Sequence, residues 1–233
     1  MIASFEKVSN HFRTRQRAVP DLVATACMLF LFAWPAGAQS NQVGAFYGGV
    51  LSQNYNFQGP AGGQAHVSAG YAAGLNLDHG FTSNRWIVPH IELEFTVLPP
   101  RNVKSTSAAV PQSYDSLYLT PGLRLEFLPR ALAHPWVAAG GGYTLYIQSQ
   151  VLTNGQTYSV HFVSRTVGDF GGGMDVRVWR SKQYAWAINL RGQFRDFVSG
   201  NPELNAPLSA SVQHNIVASA GVFLEHQSAY RRP

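Results

Sequence analysis

The sequence contains little charge, little lysine and almost no cysteine. Charged residues make up 12% of the 233 residues, about half the share found in a soluble globular domain. Lysine occurs at three positions, Lys7, Lys104 and Lys182, against 14 arginines. So little charge excludes a highly charged disordered chain, and a mean hydropathy of −0.07 excludes a bundle of membrane-spanning helices.

The first 38 residues have the parts of a secretory signal peptide. A basic stretch precedes an apolar run from Leu22 to Trp34, and the small residues Ala36-Gly37-Ala38 stand before Gln39. The run has 13 residues, whereas a membrane-spanning helix needs about 18 or more. We therefore predict export, with cleavage near Ala38-Gln39, and one domain formed by residues 39–233.

The single cysteine, Cys27, lies inside the apolar run and would be removed with the signal peptide. The exported domain then has no cysteine, which excludes a disulfide framework. Its 13 basic and 10 acidic side chains leave a small positive excess. This balance gives no indication of a nucleic-acid partner.

From residue 39 onward the sequence repeats one pattern, the alternation of apolar and polar residues with period two. Around residues 86–97, for example, Ile91 and Leu93 fall on one face, and Glu92 and Glu94 on the other. No stretch has the periodicity of an amphipathic helix of ten or more residues. The alternation predicts eight strands, at about 44–51, 67–77, 86–97, 117–127, 136–148, 165–178, 184–194 and 213–225.

The connections between these strands are alternately long and short. The long ones fall at about 52–64, 98–113, 149–162 and 198–212, and the short ones at 78–84, 129–135 and 180–183. This arrangement is typical of antiparallel neighbours in a meander, and closing the sheet removes both exposed edges. The predicted fold is all-β, an eight-stranded antiparallel up-and-down barrel.

Periodicity alone leaves open which face lines the interior, since a soluble lipocalin-like barrel and a membrane barrel have opposite facings. Three observations favour a transmembrane barrel with its polar face inside. The polar face carries arginine without lysine in near balance with acids, as an enclosed network requires. It is rich in glycine, which leaves room for long side chains, and the apolar face extends over about ten residues, enough to cross a bilayer.

We therefore predict a structural ion-pair network inside the barrel. It comprises five arginines and six acids: Glu92, Glu94, Arg124, Glu126, Arg165, Asp169, Asp175, Arg177, Arg191, Arg195 and Glu225.

Aromatic residues are expected at the membrane interfaces. The tryptophans of the exported domain all lie beside short connections: Trp86, Trp136, Trp179 and Trp186. By phase only Trp186 points outward, so the other three are predicted at the mouth of the lumen unless a bulge shifts the register.

The segments 134–142 (HPWVAAGGG) and 171–178 (GGGMDVRV), with the signal peptide and the alternating strands, resemble the small outer-membrane β-barrels of Gram-negative bacteria. This superfamily includes the transmembrane domain of outer membrane protein A. The resemblance covers residues 43–226 and implies a place among outer-membrane lipid and lipopolysaccharide, periplasmic termini, long external loops and insertion by the barrel assembly machinery. The usual aromatic insertion signal is displaced, because ten residues follow Phe223.

Two motifs suggest ligand chemistry but have simpler explanations. The triple glycines at 140–142 and 171–173 are not phosphate loops, because no helix follows them. His90, Glu92 and Glu94 share one face and could bind a metal, yet they lack a second histidine at ligand spacing and face lumen arginines. We predict no metal site and no cofactor.

The predicted function is non-enzymatic, a structural or surface-contact role with a lumen filled by side chains. One alternative is a small-solute channel. Another is a lipid A-modifying enzyme, for which His161, Ser164 and Asp169 are the candidate catalytic residues. The predicted external loops, including 59–63 and 99–105, are the natural place for a partner, although they contain no partner-specific motif.

Overall fold

The computed structural model describes residues 40–56, 64–81, 86–105, 113–148, 161–181, 185–200 and 212–227, all within the unit Gln39–Pro233. These residues form ten strands: β1 Ser40–Val50, β2 Gln53–Asn56, β3 Gln64–Val67, β4 Gly70–Gly80, β5 Ile87–Ser105, β6 Ser113–Phe127, β7 Ala133–Gln148, β8 His161–Arg180, β9 Trp186–Gly200 and β10 Val212–Gln227. This part of the chain contains no helix long and apolar enough to cross a membrane.

Eight of the strands close into a ring in which every pairing is antiparallel. β1 pairs with β4 on one side and with β10 on the other, and from β4 to β10 each strand pairs with the next one in the chain. The predicted eight-stranded antiparallel up-and-down barrel is therefore confirmed. We call the end with the short connections the turn end and the opposite end the loop end.

The stagger of the strands determines the width of the barrel. Following paired residues from Ser40 through every strand leads back to β1 at Val50, ten residues further along the chain. A stagger of ten over eight strands corresponds to a tilt of about 40° and a radius of about 8 Å. An interior of this width is filled by side chains.

The loop end differs from the prediction in two places. Strands β2 and β3 pair as a hairpin that begins in the predicted long connection 52–64 and extends to Val67, so Val67 belongs to this hairpin and not to the following ring strand. Residues 99–105 continue β5 instead of forming a loop, because Pro99 and Pro100 lie at a bulge where the ladder is interrupted and no N–H is needed. The predicted loop at 59–63 lies outside the described residues.

The ring strands are apolar outside and polar inside. Leu75 and Leu123 are 55% and 62% exposed, whereas Glu92 and Arg124 are 1% and 0% exposed. The face predicted to be apolar is thus the outer one, which is the arrangement of a transmembrane barrel and the reverse of a soluble one. The chain is a transmembrane β-barrel.

Exposed aromatic residues lie at two heights on the outer surface. Phe81, Trp86 and Trp179 surround the turn end together with Trp186. Tyr71 is also exposed, near the start of β4, and Phe81 follows ten residues later, directly after the end of that strand. At this tilt and rise, ten residues correspond to about 25 Å along the barrel axis. This separation equals the height of the apolar band expected for an outer-membrane barrel.

The tryptophan prediction is correct for two residues and wrong for two. Trp186 points outward and Trp136 is buried in the lumen, as the phase indicates. Trp179 points outward because a bulge between Arg177 and Trp179 inverts the phase, and Trp86 is exposed because it precedes β5.

The outer face yields a first prediction. Leu123 lies midway between the two aromatic heights, and Leu123→Arg should destabilise the barrel in lipid vesicles by about 2–4 kcal/mol, because the guanidinium must enter hydrocarbon. Leu132→Arg, in the short turn after β6, is the matched control and should have little effect. Urea unfolding of the vesicle-embedded protein measures both, and equal effects would contradict the bilayer position.

Candidate functional site

The most elaborate side-chain arrangement in the described residues fills the lumen, and its first part lies near the turn end. Arg191 makes a bidentate contact with Asp175, with Nε–Oδ1 and Nη2–Oδ2 distances of 2.7 Å. Arg124 lies 3.4 Å from Asp175 and 3.2 Å from Asp78, and Asp78 also lies 3.3 Å from Arg191. These four residues, with Glu126 at 3.5 Å from Arg124, form what we call the turn-end cluster.

Neutral groups complete the turn-end cluster. The side chain of Gln42 accepts hydrogen bonds from Arg124 (3.0 Å) and Arg191 (2.8 Å). Trp136 donates its indole N–H to Asp175 at 3.0 Å. The guanidinium of Arg191 also lies 3.7 Å from the ring centre of Phe223, an energetically favourable cation–π contact.

A second group, the middle cluster, surrounds Arg195. Its guanidinium hydrogen-bonds Glu92 and lies 3.2 Å from both Glu94 and Asp169. Thr120 donates to Asp169 at 3.2 Å, and Thr96 donates to Glu94 at 3.0 Å. One arginine therefore faces three carboxylates contributed by β5 and β8.

Glycines on the adjacent strands give these side chains their space. A Cβ on Gly171 would lie 2.7 Å from Cδ of Arg195, and one on Gly140 would lie 2.8 Å from Oδ1 of Asp169. Neither distance is compatible with a real side chain. The Cβ on Gly171 would also collide with the carbonyl oxygen of Phe194, and the one on Gly140 would lie 2.8 Å from that of Pro121. Glycine at these two positions therefore makes room both for the neighbouring backbone and for the long lumen side chains.

The remaining predicted network residues lie elsewhere. Arg177 and Glu225 pair at 3.3 Å near the turn end, where Asn189 also donates to Glu225 at 2.9 Å. Arg165 belongs to neither cluster. It is partly exposed at the loop end of β8, where it donates to the carbonyl of Ser164 at 3.0 Å, and the apolar layer described next separates it from Asp169.

Above the middle cluster, seven buried side chains form an apolar layer across the lumen. Each comes from a different ring strand: Val50, Ala72, Leu98, Tyr118, Val167, Phe197 and Val217. The rings of Tyr118 and Phe197 stack with their centres 4.6 Å apart. This layer separates the two clusters from the loop end.

Nearer the loop end, a second apolar group covers the lumen. We call it the apolar cap, and it consists of Ala65, Val67, Val103, Tyr114, Tyr146 and Val163. Ala65 and Val67 come from β3, so the unpredicted hairpin contributes to closing the barrel.

Sequence reasoning missed several lumen residues, mainly because the predicted strands were too short at their turn ends. Asp78 is in phase with the inward-facing Asn76, but the predicted strand stopped at residue 77. His134 lies 3.1 Å from Glu126, at the start of β7 and before the predicted strand began. Extending each strand by one or two residues in the same phase would have identified both.

The possible metal ligands of the lumen are largely engaged by arginines. Glu126, His134 and Asp175 offer ligand atoms within 4.8 Å of one another. Asp175, however, already accepts from Arg191, Arg124 and Trp136, and a metal ion there would face two guanidinium groups. The arrangement therefore favours ion pairs over metal coordination.

The predicted His90-Glu92-Glu94 group divides between two layers. His90 lies 3.2 Å from Glu126 in the turn-end cluster, whereas Glu92 and Glu94 contact Arg195. The structure does not bring the three side chains together at one site.

The candidate catalytic residues do not assemble either. Ser164 faces outward on β8, whereas Asp169 is buried in the lumen and contacts Arg195 and Thr120. The side chain of His161 lies outside the described residues. Because Ser164 and Asp169 are on opposite faces of one strand, they cannot share a histidine as a triad requires.

No family model matches the chain, and no curated protein matches it. Among solved structures it is similar to Neisserial surface protein A, with 11% identity over 83% of this chain and 100% of the other, and a TM-score of 0.48. The outer membrane protein OprG from Pseudomonas aeruginosa matches at 12% over 82% and 98%, with 0.47. The outer membrane enzyme PagL matches at 14% over 80% and 99%, with 0.38. These similarities concern the overall fold alone.

The turn-end cluster yields a second prediction. Arg191→Leu should destabilise the folded barrel by about 3–5 kcal/mol, because it leaves Asp175 buried without its bidentate partner and removes one of the two arginines beside Asp78. Arg130→Leu, an exposed arginine in the turn after β6, is the matched control. The midpoint of urea unfolding reports both variants, and unchanged stability of Arg191→Leu would mean that water reaches the cluster.

Proposed function

We propose that this protein is an outer-membrane barrel of a Gram-negative bacterium that serves envelope structure or surface contact, without enzymatic activity and without a permanent pore. The observation that carries the proposal is the occupied lumen, in which two ion-pair clusters and an apolar layer follow one another along the barrel axis. The signal peptide predicted at residues 1–38 supports export.

The outer surface supports the choice of membrane. A closed barrel pairs its backbone groups within the sheet, so it can span a bilayer without an exposed edge. The export route and the barrel fold together favour the outer membrane, where lipid and lipopolysaccharide would surround the apolar face. Insertion would depend on the barrel assembly machinery.

The lumen supports a non-conducting state. Barrels with eight strands have interiors about filled by side chains, whereas open aqueous channels belong to barrels of about 16 strands or more. Here the ion pair from Arg195 on β9 to Glu92 on β5 crosses the lumen. Opening a path would require breaking such pairs and leaving charges buried, which is unfavourable.

The loop end supports a role at the surface. Strands β5 and β8 extend beyond the apolar layer at Leu98 and Val167, and the β2–β3 hairpin pairs with the extension of β5. Long connections carried on a rigid rim are the usual position for recognition segments. The chemistry of a loop partner is not indicated by their composition.

The membrane assignment is tested by cell fractionation followed by electrophoresis of unheated and heated samples. We expect the protein in the outer-membrane fraction, with a mobility that changes on heating as the barrel unfolds. Recovery as a soluble periplasmic protein without a mobility change would overturn the assignment.

Planar-bilayer recording tests the closed lumen and gives a third prediction. The wild-type protein should show no stable open conductance. The double variant Tyr118→Ala/Phe197→Ala removes the stacked pair from the apolar layer, and it should show more frequent current events because water can pass the layer. Tyr71→Ala/Tyr143→Ala, on the outer face, is the matched control. A stable conductance of the wild type would favour the small-solute channel.

Lipid A analysis tests the enzymatic alternative. Cells that produce the protein should show the same lipid A acylation as cells that lack it. A change that disappears in Ser164→Ala would overturn the non-enzymatic proposal and favour a lipid-modifying enzyme.

A further inference from the structure

Arg101 is a buried cation at the loop end of the lumen, and we propose that it forms the centre of a binding site for a small anion. The site lies between the apolar layer and the apolar cap. Its ligand class is a singly or doubly charged small anion, such as a halide, a carboxylate or inorganic phosphate. This site is separate from the ion-pair clusters and from any partner of the loops.

The backbone of β5 is shaped so that Arg101 points inward. Leu98 faces the lumen, and the bulge between Leu98 and Arg101 inserts one extra residue, which inverts the phase of the strand. Without the bulge Arg101 would face the outside. Gly70 on the hairpin side leaves space for the arginine stem, because a Cβ there would lie 3.0 Å from Cγ of Arg101.

The hydrogen-bonding capacity of Arg101 is only partly used. Its Nη2 donates to the hydroxyl of Tyr114 at 3.0 Å and to Oδ1 of Asn215 at 2.7 Å. Its Nε and Nη1 are buried and have no acceptor in the part of the chain that the structure describes, and the residue is 1% exposed. On β6, Ser116 pairs with Leu98, two residues along the strand from the Tyr114 that pairs with Arg101, and within the described ranges its buried hydroxyl has no hydrogen-bond partner.

The surrounding polar groups are neutral and held in place. Asn215 donates to the hydroxyl of Tyr118 at 2.8 Å, and Gln213 donates to that of Tyr114 at 2.7 Å. The guanidinium carbon of Arg101 lies 5.2 Å from the ring centre of Tyr114. These contacts fix the guanidinium without neutralising its charge.

None of the acids in the described ranges faces the lumen on the loop-end side of the apolar layer. Seven face the lumen on the turn-end side of the apolar layer: Asp78, Glu92, Glu94, Glu126, Asp169, Asp175 and Glu225. Asp115 faces outward, and Asp196, also on the outer face, lies 2.8 Å from His214. In the remainder of the exported domain the sequence has one further acid, Glu203.

The uncompensated charge is the physical reason for a ligand. Arginine cannot release its proton in a protein, and burial of an unpaired ion costs several kcal/mol. The other fully buried arginines, such as Arg191 and Arg195, each contact two or more carboxylates. A small anion beside Nε or Nη1 would give Arg101 the counter-charge that those arginines obtain from the chain.

The experiment measures unfolding of the full exported domain in neutral detergent micelles at constant ionic strength. Sodium chloride, sodium formate and sodium phosphate are titrated separately against sodium gluconate, whose anion is too bulky for the site. We expect a saturable rise in the unfolding midpoint with at least one small anion, and the effective salt identifies which chemistry binds. Equal midpoints in all four salts would overturn the proposal.

Charge-matched variants locate the effect. Arg101→Met should weaken the anion dependence by about tenfold or more, the loss expected for one charge-assisted hydrogen bond. Lys104→Gln removes one positive charge from an exposed position of the same strand and should retain the wild-type dependence. The same dependence in Arg101→Met as in wild type would overturn the site.

Two further measurements keep the test decisive if Arg101→Met does not fold. When chloride is an effective salt, the ³⁵Cl resonance should broaden with folded wild-type protein and sharpen when formate competes, and Arg101→Lys should reduce the broadening. Glu203→Gln tests whether the carboxylate of Glu203, and not a bound anion, is the counter-ion of Arg101. If Glu203 supplies the counter-charge, the wild type will be insensitive to anions and Glu203→Gln will become sensitive, which contradicts the proposal. The heat-dependent gel mobility reports barrel formation independently.

Discussion

The structure depends on compensating charge inside a closed sheet only about 8 Å in radius. Each lumen arginine that the apolar layer separates from the loop end contacts carboxylates from other strands, as Arg195 on β9 does with Glu92 on β5 and Asp169 on β8. These contacts require long side chains opposite short ones, which is why Gly171 and Gly140 lie where a Cβ would collide. The narrow barrel therefore requires both the ion pairs, which compensate the buried charge, and the glycines, which leave space for the long side chains.

The outer surface faces lipid, where polar groups need hydrogen-bond partners within the protein. Two pairs of polar side chains on this face lie across adjacent strands. His79 lies 2.8 Å from Asn41, and His214 lies 2.8 Å from Asp196. The first pair lies towards the turn end and the second towards the loop end, so both are close to the edges of the apolar band. The centre of the band is left to residues such as Leu75 and Leu123.

The sequence predicts the fold well because facing in a barrel is a strict period of two, so one assigned residue determines the rest of its strand. The prediction fails where that period is interrupted. The bulges at Leu98/Arg101 and Arg177/Trp179 each insert a residue, and no feature of the alternation before them indicates the change of phase. For this reason Arg101 was predicted in a loop and Trp179 in the lumen. Contacts across the lumen, such as Arg124 with Asp78, depend on strand stagger, which alternation does not encode.

The apolar layer gives the two ends of the lumen opposite charge. On its turn-end side seven acids face four arginines, Arg124, Arg177, Arg191 and Arg195. On its loop-end side the inward-facing charged residues within the described ranges are Arg101 and Arg165. The inward-facing residues of β5 towards the loop end are, in order, Glu94, Thr96, Leu98 and Arg101. Leu98, which belongs to the apolar layer, therefore lies between the acid and the arginine. If the layer were polar, the surplus carboxylates could approach Arg101 and neutralise it. Because it is built from aliphatic and aromatic groups, the carboxylates of the two clusters cannot reach Arg101 and do not supply its counter-charge.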